Sequence, residues 1–242
     1  MLPSFWVLVI FFLVAYLIGS IPWGVIVSRV IFGTDIRKEG SGNIGATNAV
    51  RTMGVSGGAI VFVLDFGKGV LAGALGYYVC ADLLVTEYFD STFQLFGLFS
   101  ETAPQTFIAL EDGSVPILCA AVAFLGVVWG HIFSPWLLFR GGKGISAAAG
   151  CEIFALGPLG LLCDFVVFIL GALGSRYVSV GSILAAIACP FLALWLRWGH
   201  WGAIILITLA AITVLFAHSG YIKRLRKGPE HKLGTKKKAR RA

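Results

Sequence analysis

The segment ISAAAGCEIFALGPLGLLCDFVVFILGALG, Ile145 to Gly174, decides the topology of this chain. It carries only two charges, Glu152 and Asp164. It is long enough for one tilted membrane helix, which needs about 20 apolar residues. Gly157-Pro158 nevertheless interrupts it in the middle, where a helix would have to break. As a single span it sends Arg176 outside and, two spans later, the C-terminal segment outside as well. As a hairpin of two short helices it returns Arg176 to the inner face. The C-terminal segment chooses between them. His218 to Ala242 holds ten Lys or Arg and one acid, Glu230, in a chain whose net charge is +7. Such a segment stays cytoplasmic by the positive-inside rule, so the hairpin is expected.

Composition agrees with a membrane setting. Of 242 residues, 58% are hydrophobic and 13% charged, against roughly 25% charged in an average soluble chain. Disorder, a secreted disulfide scaffold and an ordinary cytosolic enzyme are excluded. Leu2–Val27, Val55–Cys80 and Val115–Leu138 read as spans, followed by the hairpin and by Val178–Leu196 and Trp201–Ala217. The loop 28–53 holds Arg29, Arg37, Lys38 and Arg51, whereas 81–114 holds six acids and no Lys or Arg. The first is therefore cytoplasmic and the second external.

The expected fold is all-α and polytopic, with seven membrane-embedded segments, the N-terminus external and the C-terminus cytoplasmic. Residues 1–218 form one membrane-embedded domain with an external loop at about 81–114, and 219–242 form a basic cytoplasmic tail. The first apolar run lacks a preceding basic residue and exceeds a signal-peptide core, so it reads as a retained helix. The tail follows a span and suits anionic lipid rather than nucleic acid. Cys80, Cys119, Cys151, Cys163 and Cys189 read as small buried thiols, since no CxxC or His-spaced set occurs among them. No metal or cofactor is expected.

This topology gathers the unusual polar segments on one face. Gly40-Ser41-Gly42-Asn43-Ile44-Gly45-Ala46-Thr47-Asn48 interleaves glycines with hydroxyl and amide side chains. Such a loop is free to turn its N–H groups toward an anion, and Arg51 adds a fork suited to phosphate. It is no Walker A loop. Phe139-Arg140-Gly141-Gly142-Lys143-Gly144 repeats the pattern of bare backbone and cations. Asp65 and Lys68 share a helix face inside a span, as a structural ion pair or a substrate contact. His131 serves packing or function. Ser179 and Ser182 open a helix, where Ser179 is an N-cap or an anion donor. His218 stands at the cytoplasmic face beside these segments, the natural handler of a proton or phosphate. No HEXXH or HxxxxD pattern occurs. A transporter is the rival reading, but its polar motifs would be expected on both faces.

Ser41–Asn48, Leu64-Asp-Phe-Gly-Lys68-Gly, Gly130-His-Ile-Phe-Ser-Pro135 running into Phe139–Gly144, and Tyr177–Ser182 together resemble the PlsY family. These are bacterial acyl-phosphate:glycerol-3-phosphate acyltransferases, and the likeness spans most of the chain. It implies a seven-helix inner-membrane enzyme, active on its cytoplasmic side. Such an enzyme makes lysophosphatidic acid from acyl phosphate and glycerol 3-phosphate and releases inorganic phosphate. Two positions depart from the family: Tyr221 stands where an asparagine is expected, and Ser219 where a basic residue is. The resemblance points to Ser41, Lys143 and His218 as catalytic. Substrate binding falls to Gly42, Asn43, Gly45, Thr47, Asn48, Arg51, Lys68, Arg140, Gly141, Gly142, Ser179 and Ser182.

Overall fold

The computed structural model describes residues 4–84 and 113–221. Most of the acidic loop and nearly all of the basic tail therefore lie outside the described residues. All regular structure among the described residues is helical. The helices are α1 (Ser4–Ser20), α2 (Trp23–Val30), α3 (Ala46–Ala74), α4 (Ser114–Ile132), α5 (Ile145–Ala155), α6 (Gly157–Ser175), α7 (Val178–Leu196) and α8 (Trp201–Ala217). Helices α1 and α2 form one apolar segment broken at Pro22, and a π-helical turn, Leu75–Cys80, extends α3.

Among the described residues, six segments are long and apolar enough to cross a bilayer: Phe5–Val30, Ala46–Leu84, Ser114–Leu137, Gly157–Ser175, Val178–Leu196 and Trp201–Tyr221. The decisive stretch does break where expected, with Gly157 in the left-handed region at φ 84. Its halves are unequal, which corrects the reading of two short helices. Helix α6 has the 19 residues of a full span, whereas α5 has 11, about 16 Å of helix against a hydrocarbon core of about 30 Å. The last span also runs to Tyr221, past the domain boundary expected at 218.

Helix α4 is the centre of the bundle, buried along most of its length from Ile117 to Ile132. Helices α1, α5 and α8 pack on it, α5 also packs on α3, and α6 pairs with α7. Lipid tails are as apolar as Leu, so membrane helices associate through close packing at small residues. Gly126 and Gly130 of α4 lie on the α1 backbone at Phe12 and Tyr16. Gly69 of α3 and Gly150 of α5 meet back to back, each facing a carbonyl of the other helix, Ala147 and Phe66 respectively. The outward faces carry Leu13, Val63, Leu170, Phe191 and Phe216, all exposed. All five cysteines are free, four of them buried and Cys163 half-buried.

Gly54 kinks α3 with φ 75 and ψ −176. The apolar span runs from Ala46 through this kink, and not from the Val55 expected from the sequence. Residues 46–53 form a separate arm, which carries Thr47, Asn48 and Arg51 away from the helix axis. The α3–α5 contact positions that arm against the start of α5. Gly150→Leu is expected to force the pair apart, lowering the apparent melting temperature in detergent by roughly 10 °C or preventing accumulation. Gly67→Ala, where nothing lies within 4 Å, should stay within about 2 °C of the parent.

Candidate active site

The Gly-rich loop folds largely onto itself. Asn48, 2% exposed, donates through Nδ2 to the carbonyls of Ile36, Glu39 and Asn43 at 3.2, 3.0 and 2.8 Å. Its Oδ1 accepts the Ser41 N–H at 2.8 Å. The Gly42 N–H donates to the Glu39 carbonyl and the Gly45 N–H to Asn43 Oδ1. Gly40 and Gly42 take positive φ, 57 and 73, to make this closure. The expectation that these N–H groups face an anion is therefore corrected for Ser41, Gly42 and Gly45. Asn48 is the organiser of the loop, with its whole amide engaged. The groups left for a ligand are at the start of α3, where no side chain caps the first turn and the leading N–H groups have no intrahelical acceptor.

Asp35 anchors the other end of the loop, accepting from the Arg37 N–H, the Arg37 guanidinium and the Arg29 guanidinium. Arg37, with Arg29 behind it, holds the Asp35 carboxyl well below the usual carboxylate range. A carboxyl lowered on folding contributes stability above its unfolded value and loses it as pH falls through the folded one. This anchor is thus fully present at neutral pH and lost only in strong acid.

The second glycine segment differs from its expected role for the same reason. Gly141 and Gly142 donate their N–H groups to the carbonyls of Ile132 and His131 at 2.9 and 3.0 Å, folding the chain back over the end of α4. A Cβ on Gly142 would meet the His131 ring. Neither glycine lines the cavity described below, and Arg140 is exposed on the outside of the turn. Lys143 does line it, with its ammonium over the face of the Tyr221 ring.

Lys68 is likewise moved out of the substrate set. Its ammonium lies 2.8 Å from Asp65 Oδ1 and donates at 2.9 Å to the carbonyl of Ile21, where α1 and α2 part. Ser134 Oγ takes the neighbouring Ser20 carbonyl at 2.7 Å. Inside an apolar bundle the carbonyls freed by a helix break need such donors, and Lys68 does not reach the cavity wall. His131 Nδ1 stands 3.6 Å from Asp65 Oδ1, and both residues line the cavity.

Two further elements complete the site. At the start of α7 the N-cap is Tyr177 and no side chain caps the turn, so Ser179 is not the cap. Its Oγ is buried on the cavity wall without a hydrogen-bond partner among the described residues. Ser182 Oγ donates back to the Val178 carbonyl at 3.1 Å. At the end of α8, His218 is 2% exposed, with Nδ1 2.8 Å from the Val214 carbonyl. A carbonyl only accepts, so Nδ1 carries the hydrogen and the Nε2 lone pair remains basic. Tyr221 OH donates to Ser41 Oγ at 3.3 Å. Ser41 itself is exposed and off the cavity wall.

These elements enclose a cavity of about 790 Å³. The starts of α3, α5 and α7 and the end of α8 bring Asn43, Gly45, Thr47, Arg51, Lys143, Ser179, Ser182 and His218 to its wall. The helix interiors add an apolar wall that includes Phe62, Phe66, Leu161, Phe165 and Phe168. The sequence reading did not single out Ser146, noted Tyr221 only as a departure from the family pattern, and assigned no role to Glu152 or Asp164; all four line the cavity. The signal for the acids was visible, since each is a charge inside an apolar run. Among the described residues no group of three or more His, Cys, Asp or Glu could hold a metal ion.

Fold and cavity define an integral membrane protein in which a cationic, hydroxyl-bearing site opens onto an apolar chamber. The chain belongs to the glycerol-3-phosphate acyltransferase family, whose sequence model matches residues 9–228. It is 36% identical over 236 residues to a glycerol-3-phosphate acyltransferase of Salinibacter ruber, covering 95% of this chain and 94% of that one. A Desulforamulus reducens protein of the same name is 41% identical over 224 residues, covering 92% and 94%. Among solved structures, the crystal structure of PlsY (YgiH), an integral membrane glycerol 3-phosphate acyltransferase, in its glycerol 3-phosphate form, superposes with a TM-score of 0.71. It is 29% identical, with 94% of this chain and 96% of that one covered.

Asn48→Ala orphans up to three buried carbonyls and one N–H, each worth about 1–3 kcal/mol when buried. Hydrogen exchange across residues 36–45 should accelerate at least tenfold while α4 and α8 retain their protection. Unchanged exchange there would remove Asn48 from its organising role.

Proposed function

We propose that this protein transfers a fatty acyl group from acyl phosphate to the primary hydroxyl of glycerol 3-phosphate, giving lysophosphatidic acid and inorganic phosphate. It does so in the bacterial inner membrane, with its active site on the cytoplasmic side. Seven membrane-embedded segments are proposed, the six spans and the shorter α5, with the N-terminus external. Residues 1–218 act as one catalytic domain, and the basic tail anchors to lipid. The observation that carries the reading is the joining, in one cavity, of cations and uncapped helix starts to an apolar chamber. A donor with a phosphate head and an alkyl chain matches that division.

In this reading the start of α3 and Lys143 hold the acyl phosphate, while its chain lies between α3, α5, α6 and α7. Arg51, Ser179 and His218 hold glycerol 3-phosphate. The glycerol hydroxyl oxygen attacks the acyl carbonyl carbon, the new ester bond forms, and the bond from that carbon to the phosphate oxygen breaks. The hydroxyl proton passes to His218 Nε2 or to a phosphate oxygen. N–H groups at the start of α3 stabilise the carbonyl oxygen as it gains charge, and Lys143 stabilises the departing phosphate. The donor arrives activated, so positioning does much of the work. Ser41, through Tyr221, holds the loop against Lys143.

The test is phosphate release by purified protein given palmitoyl phosphate, with and without glycerol 3-phosphate. Acceptor-dependent release with lysophosphatidic acid formed is expected, falling at least a hundredfold in Lys143→Ala. No turnover by folded protein would overturn the reading. His218→Ala should lower kcat by about 2–4 orders of magnitude if its imidazole takes the proton. A smaller loss with a raised KM for glycerol 3-phosphate would leave it a binding role.

A further inference from the structure

Glu152 of α5 and Asp164 of α6 are acids on the wall of the acyl chamber that the proposed reaction does not use. Glu152 is 2% exposed. Its Oε1 and the Oδ1 of Asp164 are buried oxygens without a hydrogen-bond partner among the described residues. Neither carboxyl has an ion pair among the described residues. Cys189 of α7 lines the same cavity as the two acids. Their companions on the cavity wall include Ile153, Leu161 and Phe165.

A saturated alkyl chain filling this chamber would leave those oxygens without partners, and each buried polar atom left so costs about 1–3 kcal/mol. A hydroxyl group on the chain removes that cost in either protonation state. It donates to a carboxylate, and it accepts from a carboxylic acid. We infer that the chamber is built for an acyl chain bearing a mid-chain hydroxyl, with Glu152 and Asp164 as the residues that recognise it. The inference rests on the acyl-transfer reading and names the class of its donor.

The helix geometry sets where along the chain the hydroxyl falls. Glu152 lies eight residues past Gly144, the residue after Lys143, which is about 12 Å along α5. An extended chain advances about 1.2 Å per bond, a third of the span of one residue. The recognised group is therefore roughly ten bonds from the phosphate, near the eighth to twelfth carbon.

The experiment compares kcat/KM for palmitoyl phosphate with that for hydroxypalmitoyl phosphates substituted at carbons 3, 10 and 15, using the full-length protein. The 10-hydroxy donor should be favoured roughly tenfold or more over the saturated one, and the 3- and 15-hydroxy donors should not be. Glu152→Leu and Asp164→Leu should each lower the 10-hydroxy to saturated ratio at least fivefold. Glu152→Gln, which keeps a donor and an acceptor, should retain most of it. Turnover of palmitoyl phosphate with no preference for any hydroxylated donor would overturn the inference and leave the parent reading intact. Failure of every acyl phosphate would overturn the parent reading instead. Binding decides the subsite even then: the 10-hydroxypalmitoyl phosphonate should raise the melting temperature more than its saturated counterpart, and equal shifts would sink the proposal.

Discussion

Lys68 lies in the apolar interior with its ammonium shared between Asp65 and the carbonyl of Ile21. That contact lets α1 stop and α2 begin without stranding a peptide group away from water. A bilayer tolerates irregular backbone only where the protein itself supplies partners. The fold needs several such irregularities, because its functional side chains stand at helix ends rather than along helix faces. Ser134 and Trp136 reinforce the same break, donating to the Ser20 carbonyl and hydroxyl respectively. Lys68 therefore belongs to the support of the site, and the cavity begins with Asp65 and His131 on its other side.

The same economy explains the two glycine segments. In each, conformational freedom serves closure of the backbone on itself, through Asn48 in one and through the end of α4 in the other. What each closure delivers is a helix start with no side-chain cap, at α3 and at α5. The macrodipole and the leading N–H groups make those starts favourable to negative charge. Two such starts, with Arg51 and Lys143 close by, meet on the wall of the same cavity.

The fold was legible where physics left few choices. The charge on the C-terminal segment required the Ile145–Gly174 stretch to break, and Gly157 is where it does. The lengths of its halves were not legible, since α5 ends through a left-handed glycine and no periodicity marks how deep it reaches. Parts of each polar segment singled out in the sequence do meet on one cavity wall. The individual roles of their residues were not legible, because composition cannot distinguish an N–H that faces a ligand from one that closes a turn. Gly141, Gly142 and Asn48 went that way. Lys68 was open between two roles that only its distance to Ile21 could separate. Glu152 and Asp164 were conspicuous charges whose meaning depends on a cavity assembled from four other helices.

Tyr221 carries a consequence for how the protein is made. Its hydroxyl reaches Ser41, 180 residues earlier in the chain, and its ring lies against Lys143. The last of the described helices thus closes a site begun by the first loop. During synthesis the early helices can enter the bilayer and pack while the cluster of cations remains open on one side. A nascent chain would accordingly pass through most of its insertion without a finished site.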